Sequence, residues 1–182
     1  MLAKIGHNDV AYRLLHNDTF PSWGFSIRQG ATSIWERWNG WTPESGFADP
    51  GMNSFAHYSF GAVCQWMYEN IGGIQTDGPS FKHILLKPQP GGKLTWAVTS
   101  YRSIRGTIQT DWEIEGNAFH CRVTVPPNTT ATLYLPAAKA DSILESDDAL
   151  REAKGIVSMT YQPGLMVLEL DSGRYDFLSQ LP

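Results

Sequence analysis

Apolar and polar residues follow two different rhythms along this chain, and the change comes near residue 80. In residues 7–16, Val10, Ala11, Leu14 and Leu15 recur at the spacing of one helix face. Asn17-Asp18-Thr19 ends that helix and Pro21 blocks its continuation. Residues 53–71 predict the clearest helix, with Phe55, Ser59, Ala62, Val63, Trp66, Met67 and Ile71 at three- and four-residue steps. Asn53 reads as its cap, and Gly72-Gly73 as its stop. Residues 39–52 carry Asn-Gly, Thr-Pro and Asp-Pro-Gly and read as a loop, long enough to suggest a functional one.

Beyond residue 80 the period is two. Ile108, Thr110, Trp112 and Ile114 alternate with Gln109, Asp111 and Glu113. Gly116-Asn117 turns the chain, and Phe119, Cys121, Val123 and Val125 alternate with His120, Arg122 and Thr124. Further strands are predicted at 83–87, 94–101, 131–135, 156–161, 165–170 and 174–178, with a single helical turn possible in 145–154. Short antiparallel strands at this spacing indicate a sandwich. The helical half has too few helices to close a globular domain by itself. Its aromatic faces want partners, so either it wraps onto the β half or, the favoured reading, it is the end of a larger helical domain.

Composition narrows the function without choosing it. Of 182 residues, 42% are hydrophobic and 18% charged, as in a folded soluble domain. A net charge of −4 argues against nucleic acid or an anionic membrane as partner. No run reaches the length of a membrane span, and no signal peptide is visible, so the compartment stays unassigned. Cys64 and Cys121 lie far apart and outside any Cys-x-x-Cys pattern. His7, His16, His83 and His120 scatter without ligand spacing. No metal and no cofactor is expected.

The candidate chemistry sits in residues 31–41, where Glu36 stands among Trp35, Trp38 and Trp41 with Arg37 beside it. Indole rings offer flat apolar faces to the C–H faces of sugars and shield a carboxylate from water, which suits acid–base work on a carbohydrate. The bland alternative is a solvated helix residue paired with Arg37 or a nearby lysine. If 35–38 is helical, the three indoles cannot all line one pocket. Trp38 and Trp41 then share a side and are the better sugar contacts. On general grounds His57 reads as a hydrogen-bonded structural histidine, and Trp23 and Arg37 are weaker candidates for a sugar contact.

Several longer motifs in order, His7–Leu15, Pro21-Ser22-Trp23-Gly24, Gly30–Trp38, Met52–Tyr58 and Phe81–Gly92, resemble the bacterial α-L-rhamnosidases of glycoside hydrolase family 78. The resemblance implies an α+β fold in which residues 1–79 are terminal helices of an (α/α)6 catalytic barrel and residues 80–182 an antiparallel β-sandwich. It implies inverting hydrolysis of terminal α-L-rhamnose from glycosides, with Glu36 as general base. Trp35, Arg37, Trp38, Trp41 and His57 would then be substrate contacts. No segment matches the family's acid motif, so the general acid would lie outside this chain and the isolated chain would be inactive. The partners implied are rhamnose-containing glycosides and the remainder of the barrel, with self-association through exposed apolar surface. A different reading is a non-catalytic carbohydrate-binding or structural sandwich using Trp96 and Trp112. Trp112, however, is in phase with Ile108 and Ile114 and reads as core.

Overall fold

A computed structural model describes residues 2–182, which fall into two compact units. The first comprises residues up to Trp66 together with Gly91–Lys93; the second comprises Met67–Pro90 and Leu94–Pro182.

The first unit is short elements joined by loop. An α-helix spans Asn8–His16, as the apolar spacing requires, and a second spans Trp23–Arg28. Ser22 caps the second helix by accepting the Phe25 N–H, satisfying one of the donors that a helix start leaves free. The sequence pattern does not announce this helix, because six residues give too little periodicity to read. Trp41–Thr42 and Gly46–Phe47 form a small hairpin inside the expected loop. Tyr12 and Trp35 are the buried apolar side chains of this unit among the described residues. Tyr12 is stacked against His16 and meets Trp66 edge-on.

The helix expected over 53–71 is shorter than its pattern. A 3-10 turn, Ser59–Ala62, leads into an α-helical turn at Val63–Trp66 and a π-helical turn at Met67–Ile71. Residues 53–58 are not helical, because their backbone groups are committed elsewhere. Ser54 O accepts the Glu36 N–H, and the His57 N–H donates to Ile34 O. An amide bonded across to another segment cannot also close an i→i−4 ladder. Asn53 accordingly caps no helix start; it follows the short 3-10 turn Pro50–Met52 and donates from Nδ2 to Gly40 O.

The second unit is a sandwich of two sheets. One has the strand order Asp148–Ala149, Leu144–Glu145, Gly173–Gln180, Ala118–Val125, Gly106–Glu115, Trp96–Ser103. The other runs Ile156–Gln162, Leu165–Leu170, Thr130–Pro136, His83–Leu86, Ile74–Asp77. All pairings are antiparallel except His83–Leu86 with Thr130–Pro136, which is parallel. Ile74–Asp77 precedes the expected division at 79/80 and joins this unit by pairing with His83–Leu86. The period-two pattern becomes the core. Ile108, Phe119, Cys121 and Phe177 from one sheet and Ile84, Leu86, Leu133, Leu135, Leu168 and Leu170 from the other are fully buried. Trp112 is 2% exposed, and its Nε1 donates to Ile71 O at 2.7 Å. Beside it, Thr110 Oγ1 donates to Gly72 O, so this pair anchors the entry of the chain into the sandwich.

Candidate functional site

The segment carrying Glu36 is not a helix but an extended stretch held against residues 54–57. Four hydrogen bonds make that seam. Ser33 Oγ donates to Phe55 O, and the His57 N–H donates to Ile34 O at 2.8 Å. The Glu36 N–H donates to Ser54 O at 2.8 Å, and the Ser54 N–H returns the bond to Glu36 Oε2, also at 2.8 Å. Glu36 is half-buried, and its side chain is fixed at one oxygen by a backbone donor. Charge-assisted bonds of this kind are short and orienting. Glu36 forms no ion pair among the described residues, so the alternative of a solvated helix residue paired with Arg37 does not describe it.

The aromatic residues around it divide between packing and exposure. Trp35 is 8% exposed and meets the Phe55 ring edge-on at 5.1 Å, so it belongs to the core of its unit rather than to an open platform. Phe47 continues that cluster onto Phe55. Trp38 is half-buried, with Phe60 stacked on it at 4.0 Å between centroids and Trp23 edge-on at 5.3 Å. Trp23 is itself pinned by its Nε1 donating to Phe60 O. Trp38 therefore has one covered face. Trp41, half-buried on the hairpin, has no ring partner among the described residues. Since 35–38 is not helical, the helical geometry that grouped Trp38 with Trp41 does not apply.

His57 follows Ser54 in the paired segment, with its Nε2 3.0 Å from Ser59 Oγ and its ring lying flat beside Tyr58. Arg37 is half-buried and makes no ion pair among the described residues. Two contributors escape sequence reasoning. The Ser54 N–H is a backbone donor and has no side-chain signature. Phe60, which covers Trp38, carries only the signal of an aromatic residue shortly after the His57 motif. Three hollows of about 620, 640 and 360 Å³ are lined by residues of the second unit. Among the described residues no group of three or more His, Cys, Asp or Glu could hold a metal ion. Among the described residues no helix is long and apolar enough to cross a membrane.

Residues 1–71 match the model of the bacterial α-L-rhamnosidase six-hairpin glycosidase domain, and residues 73–149 match that of the bacterial α-L-rhamnosidase C-terminal domain. The chain belongs to the bacterial α-L-rhamnosidase family. It is 40% identical over 177 residues to an α-L-rhamnosidase of Streptomyces avermitilis, covering 97% of this chain and 16% of that protein. A Formosa agariphila α-L-rhamnosidase is 36% identical over 177 residues, covering 97% of this chain and 19% of that protein. Among solved structures, the Streptomyces avermitilis α-L-rhamnosidase complexed with L-rhamnose superposes with a TM-score of 0.88 at 39% identity, over 98% of this chain and 17% of that one. The Aspergillus terreus α-L-rhamnosidase superposes at 0.79 with 30% identity, over 98% and 18%. The chain thus spans less than a fifth of the length of these rhamnosidases. Its few helices and mostly antiparallel sheets match the C-terminal part of their fold.

Proposed function

We propose that this chain carries the general base of an inverting α-L-rhamnosidase, within the last part of an (α/α)6 barrel, and that Glu36 is that base. The observation that carries the reading is the Glu36 carboxylate itself. One oxygen is clamped by the Ser54 N–H, while Oε1 has no hydrogen-bond partner among the described residues. A clamped carboxylate with one open oxygen can hold a water and take its proton as that water attacks an anomeric carbon. Inversion needs the partner acid across the sugar, with the two carboxyl groups about 6.5–9.5 Å apart to admit the water. In this reading the acid comes from a part of the enzyme outside these residues, and rhamnose-containing glycosides are the substrates. Trp41, Trp38, His57 and Arg37 are the sugar contacts nearest the base in sequence. Trp35 holds the segment from behind.

The test has two arms. The isolated chain incubated with an aryl α-L-rhamnoside releases no aglycone above background, and release at the rate of an intact enzyme refutes the missing-acid account. In an intact enzyme containing this segment, Glu36→Gln lowers kcat by about 10²–10⁴-fold, the usual contribution of a positioned base. NMR of the first-formed sugar shows β-L-rhamnose. A variant that keeps its kcat, or an α-configured first product, removes Glu36 from the role.

A further inference from the structure

We propose that the outer face of the six-stranded sheet is a second, non-catalytic binding site that takes a neutral oligosaccharide, with Trp96 as its stacking platform. The pairing register lays out that face row by row. Trp96 lies opposite Glu113, and Glu113 opposite His120. In the next row Val98, Asp111, Arg122 and Asp176 are successive partners; in the one after, Ser100, Gln109, Thr124 and Arg174. All of these point away from the core, because the residues between them in each strand, Thr110, Trp112, Cys121, Val123, Tyr175 and Phe177, are the buried ones.

Three features of this face fit a sugar. First, Trp96 and Val98 are 61% and 63% exposed, side by side on the edge strand, forming an apolar ledge for the C–H face of a ring. Second, a hollow of about 640 Å³ is lined by Gln109, Asp111, Arg122, Thr124, Arg174 and Asp176 among others, within the usual size of a small-ligand site. Third, two carboxylates and two guanidiniums alternate across adjacent strands, yet among the described residues none closes an ion pair with another. Opposite charges directly across a sheet normally find each other. Here Asp111 instead takes a 2.9 Å bond from Gln109 Nε2 to its Oδ2, and its Oδ1 is buried without a partner. The face therefore offers exposed guanidinium donors at Arg122 and Arg174 and an exposed carboxylate acceptor at Asp176, none of them closed in an ion pair among the described residues. That suits vicinal hydroxyls, which need both, and disfavours a phosphate or a metal ion, each of which would meet like charges. Cross-strand diagonal neighbours lie about 7–8 Å apart, so the ledge and the hollow are within reach of one short oligosaccharide.

The experiment is NMR titration of the whole chain, following the Trp96 indole N–H where it is present and the backbone amides of Gln109, Asp111 and Thr124 in every variant. The probes are α-L-rhamnosyl-(1→6)-D-glucose, whose choice rests on the rhamnosidase reading, and cellotetraose, whose choice does not. A saturable shift with either probe is expected. Trp96→Ala and Arg122→Ala should each weaken binding by at least about tenfold, and Glu36→Gln should leave it unchanged. Trp96 is exposed and the other substitution is on the surface, so unchanged dispersion of the remaining signals verifies folding. Binding that survives Trp96→Ala but is lost in Glu36→Gln places the sugar at the proposed catalytic carboxylate and overturns the second site. No saturable shift with either probe at about millimolar affinity also overturns it. A Trp96 shift that depends on protein concentration without sugar makes the face a self-association surface, which likewise refutes the proposal.

Discussion

Raising the pH should loosen the sandwich through one buried thiol. Cys121 is fully buried between Ala118–Val125 and its neighbouring strands, and its thiol is pushed up to about 12. Burial is the main cause, and the nearby Asp111 and Asp176 carboxylates add to it by opposing a thiolate. In the unfolded chain the same thiol releases its proton near its ordinary value of 9.0. The folded form is the one that keeps the proton, so its stabilisation is complete below about pH 9 and is lost as pH rises toward 12. Each pH unit in that window costs about 1.4 kcal/mol, or about 4 kcal/mol across it. A domain holds only about 5–15 kcal/mol in total, so the loss is large. Urea unfolding under reducing conditions, read by Trp112 emission at several pH values, measures it. Cys121→Ala lowers stability at neutral pH by leaving a small cavity but removes the thiol's share of the slope. Tyr175, whose phenol burial also shifts upward, contributes in both proteins and cancels in the difference. By pH 11 the two curves should have converged by about 3 kcal/mol relative to pH 8. Parallel curves between pH 9 and 11 would show that the thiol is not the protonated, desolvated group that this packing makes it.

Other consequences follow from the same geometry. A thiol reagent should label exposed Cys64 at once and Cys121 only as fast as the sandwich opens, and equal labelling rates would contradict the burial pattern. Gly73 has φ +74°, and a Cβ there would overlap the Pro88 nitrogen and the Lys87 carbonyl carbon, whereas Gly116 at φ +61° faces open space. Gly116→Ala should cost about 1–2 kcal/mol and Gly73→Ala distinctly more, with equal melting shifts refuting the close approach. Ile27, Phe47 and Tyr58 are largely exposed in a unit whose buried apolar side chains, among the described residues, are Tyr12 and Trp35. Light scattering should therefore show self-association, and a monodisperse monomer would count against the reading of this unit as part of a larger helical domain.

The sequence by itself determined the elements whose information is local. The alternation from Ile108 to Val125 specified a hairpin, its inward residues and the Gly116-Asn117 turn, because a period of two is printed directly on the side chains. The spacing in Asn8–His16 did the same for the first helix. The motifs around Glu36 and His57 were enough to mark the candidate site. Tertiary structure decided whatever depends on residues far apart. It turned 53–58 from an apparent helix into the partner of 33–36, because the Ser54 and His57 amides bond across eighteen and more positions rather than within one turn. It drew Ile74–Asp77 into the sandwich and set His83–Leu86 parallel to Thr130–Pro136, pairings that four-residue strands cannot announce. It also sent Trp35 inward, left Trp41 without a ring partner among the described residues and opened Trp96 to solvent. An indole has the same sequence signature in each place, and only the neighbours that fill the space around it settle which face it shows.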